Sequence, residues 1–231
     1  MVNGKLKAGL LLICVTAIAH LLVSMSAGSS REPAASVMLS PGMPAYAQSP
    51  AAPVRYSVVP ERSAARYRIR EQLAGISFPS DAVGSTRAID GGIALDAQGR
   101  VLTSDSRLTV DLRKLQSDRD RRDNYVRRNT LETDRYPTAV FVLAEVHGLS
   151  FPLPQTGSAS FELVGELTVR DATRRVRWEA TATFDGPEVS VQANTVFRFA
   201  DFGLSIPRVA SVLSVEDNIR LETDLVLRRG S

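Results

Sequence analysis

The sequence predicts an all-β fold: an antiparallel barrel of eight strands with one helical excursion. Two observations carry this expectation. From Arg55 onward, apolar and charged residues alternate with a period of two in segment after segment, the pattern of strands with one dry face and one wet face. Between two such segments lies Arg113–Tyr136, highly charged, free of Gly and Pro, and closed by Tyr136-Pro137. Short strands joined by hairpin-length turns pair antiparallel. Eight of them close into a barrel, which removes exposed edges.

In chain order, Ala65, Tyr67 and Ile69 alternate with Arg66, Arg68 and Arg70 in the first strand. Gly75–Asp90 reads either as a lid-like loop or as an irregular strand. Gly92–Asp96 is a short strand turned by Ala97-Gln98-Gly99, and Leu108–Leu112 is the next. The charged excursion reads as a helix, and Thr138–Val146 follows it. Four clear strands then complete the sheet. Phe161, Leu163, Gly165, Leu167 and Val169 oppose Glu162, Glu166 and Arg170. Val176, Trp178, Ala180, Ala182 and Phe184 oppose Arg175, Arg177, Glu179 and Thr181. Val189, Val191, Ala193, Phe197 and Phe199 oppose Ser190, Gln192, Asn194 and Arg198. Ile219, Leu221, Leu225 and Leu227 oppose Arg220, Glu222, Asp224 and Arg228.

The first 54 residues do not read as globular. Lys5 and Lys7 precede an apolar run, Ala8–Val23, and Ser24-Met25-Ser26 and Ser26-Ala27-Gly28 offer small residues for cleavage. This is the layout of a secretory signal over residues 1–27. The run from Ala8 to Ala27 is also about 20 residues, close to a bilayer span, so a retained membrane anchor through residues 8–27 is the other reading. Both place the domain outside the cytoplasm: periplasmic, extracellular or at the outer face of the cytoplasmic membrane. Residues 28–54 carry Pro33, Pro41, Pro44, Pro50 and Pro53 among Ala, Ser and Gly. Such a stretch buries too little apolar surface to order itself and reads as a tether. Residues 55–231 form the barrel.

Composition narrows the function. The net charge is +3, and of 28 basic residues only Lys5, Lys7 and Lys114 are lysines. The arginines alternate with apolar residues or sit beside Asp and Glu. They form no dense basic run, so no nucleic-acid partner is expected. The single Cys, Cys14, lies in the N-terminal apolar run, which leaves the domain without a disulfide or a Cys metal site. Ile13 before it argues against a lipid-modified Cys. Beyond His20 there is only His147, expected in a solvent-exposed turn at a strand end, and one His cannot supply a zinc site. No Gly-x-Ser-x-Gly turn and no Gly-rich phosphate loop is present. The expectation is a protein without catalysis, metal or cofactor.

An eight-stranded barrel can hold one small ligand inside. The candidate contacts are inward residues: Tyr67, Ile69, Leu108, Val110, Phe141 and Leu143 from the first half of the sheet, with Leu163, Leu167, Trp178, Ala180, Phe197, Phe199 and Leu221 from the second. The alternative is that these side chains simply fill the core. The small residues Gly165, Ala180, Ala182 and Ala193 favour open space. The charged helix also has two readings. It is a solvated helix laced with ion pairs, or Arg122 or Arg127 lies over the barrel mouth and meets a phosphate or quinone oxygen.

Several short motifs stand in a telling order. Tyr56-Ser57-Val58-Val59-Pro60-Glu61-Arg62-Ser63 opens the domain and Asp111–Phe141 holds the excursion. Phe199-Ala200-Asp201-Phe202-Gly203-Leu204 and Val215-Glu216-Asp217-Asn218-Ile219-Arg220-Leu221 close it. Together the sequence resembles the YceI-like family over roughly residues 55 to 228. The resemblance implies a lipocalin-like barrel that binds a polyisoprenoid lipid or an isoprenoid quinone without catalysis. Arg62 stands where the family has His, Tyr125 where a second His is usual, and Thr130-Leu131 where paired Phe residues are usual. These departures leave the head group open. The competing expectations are a filled barrel acting as a cell-surface interaction or structural module and, against the scarcity of nucleophile–base sets, an enzyme on an isoprenoid substrate.

Overall fold

The computed structural model describes residues 52–230. The signal or anchor reading of residues 1–27 and nearly all of the 28–54 tether lie outside the described residues. Ten strands form one antiparallel sheet. They are β1 (Val54–Val58), β2 (Ala64–Leu73), β3 (Ser80–Thr86), β4 (Ile89–Leu95), β5 (Arg107–Asp111), β6 (Thr138–His147), β7 (Thr156–Val169), β8 (Ala172–Asp185), β9 (Glu188–Phe197) and β10 (Val212–Arg229). The order β1-β4-β5-β6-β7-β8-β9-β10 returns to β1, giving a closed ring of eight.

The remaining strands, β2 and β3, prolong two members of that ring. β1 and β2 are one bent strand running along the long β10, and β3 and β4 are its equally bent partner. The first bend has a local cause. Pro60 has no N–H to give a ladder, so pairing breaks at the Pro60–Arg62 turn. Buried Ser63 satisfies the backbone groups this exposes. Its hydroxyl donates to the Val59 carbonyl at 2.8 Å and accepts from the Val226 N–H at 3.0 Å. The second half of Gly75–Asp90 is therefore strand, not lid. The free side of β3 is met by Gln116, whose backbone exchanges hydrogen bonds of 2.8 and 2.9 Å with Ser85, so the sheet edge is blunted.

Alternation decides which face is dry. In β8, Trp178, Ala180, Ala182 and Phe184 are buried, while Arg177, Glu179, Thr181 and Thr183 are exposed. On the outer face the arginines join strands in pairs: Arg66–Asp224 at 2.5 Å, Arg175–Glu145 at 2.6 Å and Arg177–Glu162 at 2.6 Å. His147 ends β6 and pairs with Glu145 at 2.7 Å, exposed. The excursion is helical over a shorter range than its composition suggests. Helix α1 (Asp120–Tyr125) runs into a π-helical turn, Val126–Thr130.

Three expectations need correction. Phe199 is not on a strand: β9 ends at Phe197, and Phe199 opens the 3-10 turn Phe199–Phe202, though its ring is almost fully buried. Leu112 likewise leaves its strand and starts a short 3-10 turn, Leu112–Lys114. Gly165 does not leave room for a ligand. A Cβ there would stand 2.3 Å from the Val142 carbonyl oxygen and 2.8 Å from the Phe141 ring. The missing side chain admits Phe141, not open space.

Candidate functional site

The interior is divided rather than filled. An upper cavity of about 180 Å³ lies toward the end of the barrel that carries the helix. A lower one of about 80 Å³ lies toward the β8–β9 hairpin. Leu108, Phe141, Leu163, Val191 and Leu225 border both and form the waist between them. Phe141 is wedged there by Gly165 behind it and by Trp178, whose ring meets it edge-on with centroids 5.8 Å apart.

Eleven of the thirteen candidate contacts border the upper cavity, from Tyr67 and Ile69 on β2 to Leu221 on β10. Leu143 borders the lower cavity instead. Ala180 is buried but borders neither. The apolar residues that cover the upper cavity are not among the candidates taken from the sequence, which offers only Arg122 or Arg127 over the mouth. Leu115, Val126 and Leu131 close it from above, with Leu204 and Pro207 from the segment after the 3-10 turn. A signal for the cover exists in the sequence: between Arg113 and Tyr136 the aliphatic residues are Leu115, Val126 and Leu131, and all three face the cavity.

The helix is fastened to the barrel by charge. Arg122, its side chain 14% exposed, meets Glu71 of β2 at 2.5 Å and also pairs with Asp118. Buried Asp123 accepts from the Ser117 N–H at 2.9 Å and from its hydroxyl at 2.7 Å. Arg127 donates to the Leu115 carbonyl at 2.9 Å. Both arginines considered for a head group are thus held by the protein's own acceptors. The Arg122 guanidinium in turn holds the Asp118 carboxyl below its ordinary value.

Tyr67, below this cluster, lays its ring over Gly84. Burial, with Asp123, Glu71 and Asp118 nearby and Arg122 opposing them, pushes its phenol up to about 12. It therefore stays neutral at any working pH. Three buried polar atoms have no partner among the described residues: Trp178 Nε1, Thr130 Oγ1 and Arg170 Nε. The first two belong to residues lining the upper cavity. Among the described residues no three His, Cys, Asp or Glu side chains converge as a metal site would require.

A closed eight-stranded barrel with a helical cover and a hydrocarbon interior defines a lipocalin-like binding-protein architecture. The YceI-like domain model matches residues 56–227, and the chain belongs to that family. A polyisoprenoid binding domain from Saccharophagus degradans, implicated in plant cell wall breakdown, superposes with a TM-score of 0.61 at 14% identity, covering 76% of this chain and 98% of that one. BcnA from Burkholderia cenocepacia gives 0.55 at 16% identity, covering 73% and 98%. The Campylobacter jejuni YCEI protein gives 0.52 at 15% identity, covering 69% and 91%. At such identities these likenesses establish a shared fold. No curated relative matches the sequence.

Proposed function

We propose that this domain binds the apolar chain of an isoprenoid lipid, of polyprenyl or isoprenoid-quinone type, without catalysis, and stores, carries or senses it outside the cytoplasm. The observation that carries the reading is the upper cavity, about 180 Å³ of unfilled space bounded chiefly by aliphatic and aromatic side chains. A dry cavity of roughly 150 Å³ holds one benzene molecule, so the present volume suits one ring or one or two isoprene units. The name of the Saccharophagus degradans domain, a polyisoprenoid binding domain, supports the ligand class. Lys5, Lys7 and the Ala8–Val23 run support the location.

Energetics require more than the upper cavity offers. Each methylene removed from water stabilises by about 0.8 kcal/mol, so a five-carbon unit gives about 4 kcal/mol. Association costs roughly 4–15 kcal/mol. Several units must be buried for firm binding, and their volume exceeds that of the upper cavity. Uptake of a long chain therefore needs the cover of Leu115, Val126, Leu131 and Pro207 to move, or Phe141 to turn and join the two cavities.

A second reading, a filled barrel acting as a surface interaction or structural module, has its own observation in the lower half. There only about 80 Å³ is free. Native mass spectrometry of the protein purified from an isoprenoid-producing host, followed by solvent extraction, separates the two. The lipid reading expects a bound mass in the isoprenoid range. Apo protein alone, with no uptake of added prenyl lipid, overturns it.

A further inference from the structure

We propose that the apolar tip formed by the β2–β3 turn and the segment leading into β10 is a membrane-docking surface. It inserts Ile76, Phe78, Ile206 and Leu213 into the face of a phospholipid bilayer. The inference is independent of what fills the cavities.

The two segments form one patch. Val212 opposes Leu73 and Ser214 opposes Gln72, and the Ala74 N–H donates to the Ser211 carbonyl at 3.0 Å. The β2–β3 turn is shaped by its own residues. Gly75 takes φ +79°, and the Gln72 amide donates to the Leu73 carbonyl at 3.3 Å and to the Ile76 carbonyl. β9 ends at Phe197, opposite Ile219, so from Val212 to Val215 β10 pairs with β2 alone and the tip stands clear of the ring. Phe78 is 79% exposed and Leu213 67%. With Ile76 and Ile206 they are four of the six large apolar side chains exposed among the described residues. The other two stand apart, Phe151 against Gly99 at the far end and Val196 opposite Arg220 on β9. Single exposed apolar residues are ordinary, but a cluster marks a partner surface.

Charge and size select the partner. Gln72–Ser80 holds no charged residue and Phe202–Val215 holds only Arg208, in a chain where 23% of residues are charged. Charged groups are costly inside a bilayer, so an inserted tip must lack them. Arg208 is exposed and suits a lipid phosphate. At the base of the tip Asp81 meets Arg68 and Arg70, and Glu71 meets Arg122, so these acids do not repel an anionic surface. Glu216 lies beyond the patch, in the irregular stretch of β10 after Val215. The other occupant of such a patch is a second copy of the chain. Four partly exposed side chains offer roughly 400 Å², about half of the roughly 800 Å² that each partner gives a stable interface. A bilayer needs no matched surface. The patch also adjoins the cover: Leu204 and Pro207 line the upper cavity, with Ile206 exposed between them. The chain has the length for docking. β10, 18 residues from the tip to Arg229 beside β1, spans about 60 Å. Residues 28–53 extend to roughly 90 Å at most, so a chain held in a membrane at residues 8–27 can still present the tip to it.

The test uses the full chain with Cys14→Ser, carrying one environment-sensitive dye through Ser77→Cys in the tip or through Gln98→Cys at the opposite end. The vesicles are phosphatidylethanolamine with a minor share of phosphatidylglycerol, and vesicle-bound protein is isolated by flotation. The dye at position 77 is expected to shift blue and to resist iodide quenching severalfold, while the dye at position 98 stays open. In Phe78→Ser/Leu213→Ser the docked-to-undocked ratio read at position 77 should fall by about tenfold for each side chain withdrawn. Both side chains are mostly exposed, so the urea midpoint should not move. Protein that fails to float, or a dye at position 77 that stays open on floated protein, overturns the proposal. Equal shielding at both positions also overturns it, because the contact is then unselective. Shielding at position 77 without vesicles, rising with protein concentration, overturns it in favour of a second copy. Cargo enters none of these readings, so they stand whatever the barrel holds.

Discussion

Arg122 of α1 and Glu71 of β2 lie 51 residues apart in the chain and meet at 2.5 Å, both largely shielded from water. This pair ties the cover to the barrel wall. Removing one partner of a buried pair leaves an uncompensated charge, at about 3–5 kcal/mol when burial is complete. Asp118 still faces Arg122, so the loss should be smaller. Glu71→Ala is expected to lower stability by about 1–3 kcal/mol in urea unfolding. It should also speed lipid exchange in stopped-flow transfer from vesicles. Unchanged exchange in a destabilised variant would mean that the helix is not the moving part.

Acid should loosen the other contact of Arg122, the one to Asp118. Arg122 depresses the Asp118 carboxyl, so this carboxylate contributes stability above its unfolded value of 3.8 and loses it as pH falls through the lower folded value. Lipid exchange is expected to be flat from neutral pH down to about that unfolded value and to rise below it. Asp118→Asn should remove the acid-induced part of the rise. A rise already present near neutral pH would point to another group.

At the alkaline end the sign reverses. Burial pushes the Tyr67 phenol from 10.0 up to about 12, so the folded state keeps a proton that the unfolded chain has lost. Stability from this group is full below pH 10 and declines as pH rises toward 12, by about 2–3 kcal/mol at most. Tyr56 is raised too, chiefly by burial, and acts in the same direction. Tyr67→Phe should therefore flatten the alkaline limb of a urea-midpoint-versus-pH curve without removing it.

The strands were legible where the two faces differ strongly in polarity. β8 sets Arg177 and Glu179 against Trp178 and Ala180, and a one-residue slip would bury the charges. β3 was ambiguous because its inward residues are Ala82, Gly84 and Thr86, small or polar, so alternation leaves little contrast. The role of Gly165 was misread for a different reason. Its space is taken by Phe141 from the neighbouring strand, and no pattern within one strand reports on a neighbour's ring. The cover was legible in principle. Three aliphatic residues in a charged segment need a partner surface, and Leu115, Val126 and Leu131 find it over the cavity.

Export is open to a direct assay. Lys5 and Lys7 followed by Ala8–Val23 motivate it. Residues 1–54 fused to a reporter active only after translocation should score positive. N-terminal sequencing of the natural protein then separates cleavage near residue 27 from a retained anchor. A reporter active only in the cytoplasm overturns the proposed location.

If the barrel binds a prenyl chain as proposed, Phe141 should set how long a chain it accepts. Its ring borders both cavities, fills the place left by Gly165 and meets Trp178 edge-on. Phe141→Ala removes the partition between spaces of about 180 and 80 Å³ and adds the ring's own volume. Large-to-small changes of this kind cost about 3–5 kcal/mol, the upper values where the walls cannot collapse. Collapse is hindered here because the strand of Phe141 is paired on both sides, β6 with β5 at Leu108 and with β7 at Leu167. The variant should therefore be less stable when empty but should recover much of the loss when a long ligand fills the joined channel, since binding to the folded state alone raises its stability. Native mass spectrometry against a ladder of prenyl lengths is expected to show the preferred chain shifting longer in F141A. Gly165→Ala should do the opposite of opening space: its Cβ would be forced against the Val142 carbonyl, lowering stability by about 1–3 kcal/mol without lengthening the accepted chain. If F141A keeps the parent's chain-length preference, the waist does not limit the ligand and the lower cavity takes no part in binding.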